Sequence, residues 1–304
     1  MRIEFIAPAG YPSDTDSIDR AAAYFASHGF DVTASDAVFA RHQRFAGDDA
    51  TRADSLKQAL ESDAGMVMAV RGGYGAVRLL DKIDWKAVGR RVKRSGVCLV
   101  GHSDLTAIQL ALLAKGGAAS LAGPMASYDF GSIERSEFTE RHFWGLVMSD
   151  SFTVDVKAAG QPSIEAAGTL WGGNAAVLCG LIGTPYMPKH EGGILVLEDT
   201  GEYPYRIERM FNQLALSGIL ARQQAVVLGS FNDYKLTATD SGYDMDSAID
   251  RLREISPAPV LTGLPFGHTF DKITWPIGGQ CHLETRRGGY RLTFSDYPRP
   301  GMSA

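Results

Sequence analysis

Along the first half of this chain, short apolar runs alternate with longer stretches in which apolar residues return every three or four positions. Strand-like runs fall at residues 2–7, 30–34, 65–70 and 97–100, and the last two have the near-continuous character of strands buried on both faces. Helix-like stretches fall between and after them. Residues 17–28 set Ile18, Ala21, Ala22, Tyr24 and Phe25 broadly on one face and stop at Gly29, and residues 48–62, 76–83 and 105–113 continue the pattern. In the last of these Leu105, Ile108, Leu112 and Leu113 recur at helical spacing. Alternation of this kind predicts a parallel sheet covered by helices.

Past Trp144 the texture changes. Residues 152–156 alternate like an exposed strand, and Ala158-Ala159-Gly160-Gln161-Pro162 reads as a connector, so the pattern divides the chain into residues 1–150 and 151–304. The second part predicts short strands at 194–197, 225–229 and 290–294 among Gly- and Pro-rich turns. It also predicts helices at 173–181 and 204–217, and the stripe Ile207, Met210, Phe211 and Leu214 in the latter is a core face. No internal repeat is visible.

In open parallel sheets, ligands bind beyond the carboxyl ends of the strands. Three predicted strands end there in loops, at 7–10, 71–75 and 101–104. The third, Gly101-His102-Ser103-Asp104, puts a serine at an abrupt strand-to-helix turn. This is the setting of a nucleophile elbow, although the second glycine of G-x-S-x-G is missing. The alternative is that Ser103 or Asp104 simply caps the helix. The second, Arg71-Gly72-Gly73-Tyr74-Gly75, permits close backbone approach and ends at a helix start with unpaired N–H groups, which suits an anion or oxyanion cradle; the alternative is a tight connecting loop.

A serine hydrolase also needs a base and an acid that orients it. Of seven histidines, His28, His42, His142, His190 and His282 sit at helix ends, among charges, or in turns and strands. His268 differs, because Leu264-Pro265-Phe266-Gly267 delivers it to a turn in an apolar setting. For the acid, the apolar strand at 194–197 runs into Glu198-Asp199, with Glu202 and Glu208 as rivals. Glu208 lies between Arg206 and Arg209, which fits a solvated ion-pair face.

Composition narrows the field. The 304 residues are 45% hydrophobic and 21% charged, which is ordinary for a folded chain of one large or two medium domains. A net charge of −5 with no basic cluster argues against a nucleic-acid partner. The N-terminal run carries charges unlike a secretory signal, and no uninterrupted apolar segment reaches the ~18 residues of a membrane span. A cytoplasmic protein is expected. Cys98, Cys179 and Cys281 are odd in number and far apart, which suits free buried thiols, and no metal-ligand motif is present.

Taken together, the motifs resemble those of the LD-carboxypeptidases, or muramoyltetrapeptide carboxypeptidases, a family of Ser-Glu-His serine peptidases related to microcin-immunity hydrolases. The resemblance rests on IAPAGY (6–11), RFAGDD (44–49), AVRGGYGAVRLL (69–80) and GHSDLTAIQ (101–109). It continues through GTLWGGN (168–174), LIGTPYMPK (181–189), ILVLEDTGEYPYRIERM (194–210) and GLPFGH (263–268). It implies an α/β fold with an N-terminal Rossmann-like parallel sheet, helices on both faces, and a β-rich C-terminal domain, with the active site between the two.

Carried over by residue, the resemblance implies Ser103 as nucleophile, Glu198 as acid and His268 as base, with backbone N–H groups of Asp104 and Gly73 as oxyanion donors. It also implies a substrate role for Trp171 and Asn174, with helix start and packing as the alternative. Arg71, next to the glycine loop, is a candidate for gripping a terminal carboxylate, or else a structural ion pair. The implied reaction removes D-alanine from a muropeptide tetrapeptide, at an L-centred diamino acid such as meso-diaminopimelate, in cell-wall recycling. A homodimer is implied, and no metal or organic cofactor. The competing readings are a nucleotide-binding α/β protein using Gly72–Gly75 as a phosphate cradle, which lacks G-x-G-x-x-G and a P-loop lysine, and a non-catalytic muropeptide binder.

Overall fold

The structure is a computed structural model that describes residues 1–300. Its first five strands are β1 (Arg2–Ile6), β2 (Asp31–Ala34), β3 (Met66–Ala69), β4 (Cys98–Gly101) and β5 (Ser120–Ala122). Eight more follow: β6 (Phe152–Lys157), β7 (Glu165–Asn174), β8 (Gly193–Thr200), β9 (Gln223–Asn232), β10 (Val260–Leu261), β11 (Trp275–Ile277), β12 (Gln280–Arg286) and β13 (Gly289–Ser295). The helices are α1 (Asp16–Ser27), α2 (Asp49–Glu61), α3 (Trp85–Ser95), α4 (Leu105–Ala111), α5 (Glu137–Val147), α6 (Ala175–Gly180), α7 (Pro204–Leu216) and α8 (Met245–Ile255).

The first sheet has the order β11-β5-β4-β3-β1-β2 and is parallel from β5 to β2. Every residue of β3 and β4 is buried, as expected of central strands whose two faces are covered by helices. Its edge strand β11 comes from late in the chain and pairs antiparallel with β5, so residues 275–277 complete the sheet built by the first half. The second sheet has the order β10-β9-β8-β7-β12-β13-β6. Strands β7 to β10 are parallel, with α6, α7 and α8 as crossovers, while β12, β13 and β6 form an antiparallel flank. The expected strand-rich second domain is thus half α/β in construction.

The local chemistry explains the helix ends. Asp48, Asp84, Ser136 and Asp244 accept backbone N–H bonds as N-caps, and α3 stops at Gly96 in the left-handed region. Two predicted elements differ. Residues 76–82 form a 3-10 helix rather than an α-helix, a tight form suited to a short connector that ends where Asp84 starts α3. The helix predicted at 173–181 is shortened to α6, because Gly173 and Asn174 remain in β7 and Asn174 caps the helix.

Candidate active site

Ser103 stands at the β4–α4 turn with φ 62°, a left-handed conformation uncommon for a side-chain-bearing residue and typical of a strained elbow. Gly101 precedes it at φ 149°, and the Thr106 N–H donates to the Ser103 carbonyl at 2.9 Å as α4 begins. Neither Ser103 nor Asp104 caps the helix through its side chain. The glycine loop presses on the same spot. A Cβ on Gly72 would fall 2.6 Å from the Ser103 Cβ and 2.7 Å from its Oγ, so only glycine fits there.

His268 arrives from the second half of the chain. Its Nε2 lies 2.9 Å from Ser103 Oγ and its Nδ1 lies 3.0 Å from Glu198 Oε2, while Asn232 Nδ2 donates to the His268 carbonyl at 2.7 Å. Glu198 is fully buried and its Oε1 has no hydrogen-bond partner among the described residues. Burial lowers the basicity of His268, but the hydrogen bond and charge of Glu198, with the charge of Asp199, outweigh it and raise the imidazole above its ordinary value.

The two adjacent carboxylates divide because successive strand residues face opposite sides of a sheet. Glu198 turns to His268. Asp199 turns to α6, where it accepts Asn174 Nδ2 at 3.0 Å, the Ala176 N–H at 2.8 Å and the Thr200 N–H at 2.8 Å. The β8–β9 register slips between Leu197 and Asp199, so β9 carries an extra residue opposite Glu198. Such bulges re-aim side chains beside functional sites. The rivals are engaged elsewhere: Glu202 pairs with Arg206, and Glu208 accepts the Tyr243 hydroxyl.

Two cavities meet at Ser103. The first, about 460 Å³, is lined by Arg71, Gly73, His102, His268 and Lys272, with Tyr128 and Phe270 among its walls. The second, about 360 Å³, is lined by Asp104, Asn174, Asp199 and apolar side chains of α6 and α4. Arg71 donates Nη1 to the Tyr11 carbonyl at 3.0 Å and forms no ion pair among the described residues, while its buried Nε is unpartnered. That answers the structural alternative for Arg71 in part: the loop contact is to a carbonyl, not to a carboxylate. Burial raises the Asp104 carboxyl, against the charge of His268 and the N–H groups of Gly73 and of Asp104 itself.

Asn174 lines the second cavity, but its amide is already engaged by Asp199 and by the Val177 N–H, which it caps. Its backbone N–H donates to Thr106 Oγ1 at 3.1 Å, joining β7 to the elbow helix. Trp171 is a correction. It is 1% exposed, donates its indole N–H to Gln223 at 2.9 Å, and lines neither cavity, so its large apolar surface serves the core.

Three residues of the site escaped the sequence reading. His102 is buried 5.3 Å from the His268 ring, with Nδ1 2.8 Å from the Gly123 carbonyl; burial, then Lys272 and His268, hold it well below its ordinary value and so neutral. Its position beside Ser103 was the available signal. Lys272 and Asp129 form a buried ion pair across 143 residues, for which no local signal exists.

The fold and this geometry define a two-sheet α/β hydrolytic protein with a Ser-His-Glu hydrogen-bond relay. Models of the LD-carboxypeptidase N-terminal and C-terminal domains match residues 3–123 and 167–283, and the chain belongs to the LD-carboxypeptidase family, a serine-type carboxypeptidase acting on peptide bonds. It is 31% identical to the murein tetrapeptide carboxypeptidase of Pseudomonas aeruginosa, over 94% of each chain. It is 32% identical to a putative carboxypeptidase of Streptomyces coelicolor, over 99% of this chain and 96% of that one. The crystal structure of a muramoyltetrapeptide carboxypeptidase from Oxalobacter formigenes superposes with a TM-score of 0.91 at 43% identity, covering 98% of this chain and all (100%) of that one. The microcin C7 self-immunity protein MccF shares the fold, with a TM-score of 0.85 at 20% identity, over 98% of this chain and 96% of that one.

Proposed function

We propose that this protein removes the terminal D-alanine from muropeptide tetrapeptides, cutting the amide that joins it to the L-centre of a diamino acid, with meso-diaminopimelate as the expected residue. Ser103 Oγ attacks the carbonyl carbon while its proton passes to His268 Nε2. The oxygen that becomes negative is held by the backbone N–H of Asp104 and, from the glycine loop, of Gly73. As the tetrahedral intermediate collapses, the C–N bond breaks and His268 returns the proton to the leaving amine. Water, activated by the same imidazole, then frees Ser103 from the acyl group. Glu198 holds His268 in the tautomer with its proton on Nδ1, which leaves Nε2 to accept.

The observation that carries this reading is the unbroken relay from Glu198 through His268 to Ser103, with a left-handed serine at its end. The names of the Pseudomonas and Oxalobacter relatives support the murein substrate. The reading extends to a cytoplasmic homodimer that takes part in cell-wall recycling. Among the described residues no helix is long and apolar enough to cross a membrane.

The test is mass spectrometry of products from a panel of defined tetrapeptides, differing in the diamino acid and in the stereochemistry of the last residue. Release of D-alanine from an L-centre supports the reading. Binding without turnover refutes it in favour of a muropeptide binder, and thermal stabilisation by nucleotides but not muropeptides refutes it in favour of the phosphate-cradle alternative.

A further inference from the structure

The two cavities that meet at Ser103 differ in which catalytic group they contain and in charge. Ser103 and Thr200 line both, but His268 lines only the first. The imidazole that takes the serine proton must deliver it to the leaving nitrogen, within hydrogen-bond reach. The leaving half of the substrate therefore belongs in the first cavity and the acyl half in the second.

Charge agrees with that order. In the first cavity Lys272 is neutralised by Asp129, so among the described residues the charges there without an ion-pair partner are the Arg71 guanidinium and the carboxylate of Asp233, which accepts the Thr200 hydroxyl at 3.0 Å. A guanidinium so placed suits the terminal carboxylate of a leaving amino acid. Among the described residues, the charged ones that line the second cavity are Asp104 and Asp199, with no Lys, Arg or His. Asp199 is spent on Asn174 and two backbone N–H groups. Asp104 forms no ion pair among the described residues, and burial disfavours its charge. Around it Val77, Ala107 and Val177 give an apolar wall suited to methylene groups.

Resting on the carboxypeptidase reading above, we propose that the substrate binds in one fixed order across Ser103, with the leaving amino acid in the Arg71 cavity and the diamino acid side chain in the second, where the Asp104 carboxylate recognises its ammonium and sets specificity, the side-chain carboxylate of a diaminopimelate being left to solvent. Asp104 then has two duties, its N–H toward the oxyanion and its carboxylate toward the acyl side chain, and they are coupled, because the N–H groups of Gly73 and of Asp104 itself also act on that carboxylate.

The test compares peptides that keep the methylene stem but lose the ammonium: lysine against norleucine, and diaminopimelate against 2-aminopimelate, each before D-alanine. For whichever diamino acid is turned over, the wild type should prefer the ammonium-bearing peptide by about tenfold or more in kcat/KM, the range of a charge-assisted hydrogen bond. Asp104→Asn, which keeps size and backbone N–H, should bring that ratio toward one, while the ratio of free to C-terminally amidated D-alanine stays as in the wild type. Equal turnover of paired peptides by the wild type overturns the proposal. So does a variant that keeps the wild-type ratio, and a joint fall of both ratios refutes the separation of the two halves. A wild type that releases D-alanine from none of the peptides overturns the carboxypeptidase reading itself, and this order with it.

Discussion

Replacing Glu198 by Gln conserves volume at a fully buried position and removes the charge that opposes burial at His268. The new amide has two orientations. With its oxygen on Nδ1 it preserves the tautomer without the charge; with its NH2 there it forces the imidazole proton onto Nε2, which then cannot accept from Ser103, 2.9 Å away. Wrong-tautomer triads lose about 10⁴ in kcat, roughly 5 kcal/mol of barrier. The pH profile should move as well. A general base works unprotonated, so the acid limb of kcat/KM follows the His268 pKa. In the wild type that limb should lie above the ordinary imidazole value, because Glu198 and Asp199 outweigh burial; in Glu198→Gln it should shift to lower pH. The assay is steady-state D-alanine release from acid to mildly alkaline pH, with urea unfolding to show that the variant is folded. A folded variant within tenfold of wild-type kcat, or an acid limb displaced upward, refutes the reasoning. An inactive Glu202→Gln beside an active Glu198→Gln would move the acid to Glu202.

Ser103→Ala should fold normally and lose about 10⁶ in kcat, as nucleophile removal does in another serine hydrolase; near-normal turnover by the purified variant would end the serine-peptidase reading. Gly72→Ala puts a methyl 2.6 Å from the Ser103 Cβ, so it should cost about 10² in kcat as the serine is pushed off the His268 line, and full activity would show that the loop yields freely. Gly173→Ala combines φ +131° with a contact 2.5 Å from Thr106 Oγ1, and should lower unfolding free energy by about 2–4 kcal/mol in urea titration; an unchanged midpoint would refute it. Arg71→Lys should impair release of free D-alanine far more than of its C-terminal amide, since an ammonium cannot make the bidentate contact; equal losses would assign Arg71 to holding the Tyr11 loop.

The periodic stretches carried the parts of the fold that local physics sets. Buried runs such as 97–100 cannot be satisfied except as central strands, and the glycines around Ser103 mark a turn that only a few residues tolerate, so β4, its elbow and the neighbouring glycine loop were legible in the chain. Helix α8 carries the same kind of local signal, with Met245, Ala248 and Leu252 at helical spacing behind the Asp244 cap, although the pattern above leaves it out, whereas β11 was not legible, because three residues acquire strand character only by pairing with β5. The same division runs through the site. Ser103, Glu198 and His268 each sit at a recognisable local boundary, but a sequence cannot say which of Glu198 and Asp199 faces the histidine. That was decided by the alternation of β8 and the bulge opposite it. Trp171 moved to the core and Lys272 to the cleft for the reason that holds throughout: burial and pairing across 143 residues are properties of how layers pack, not of any stretch of chain.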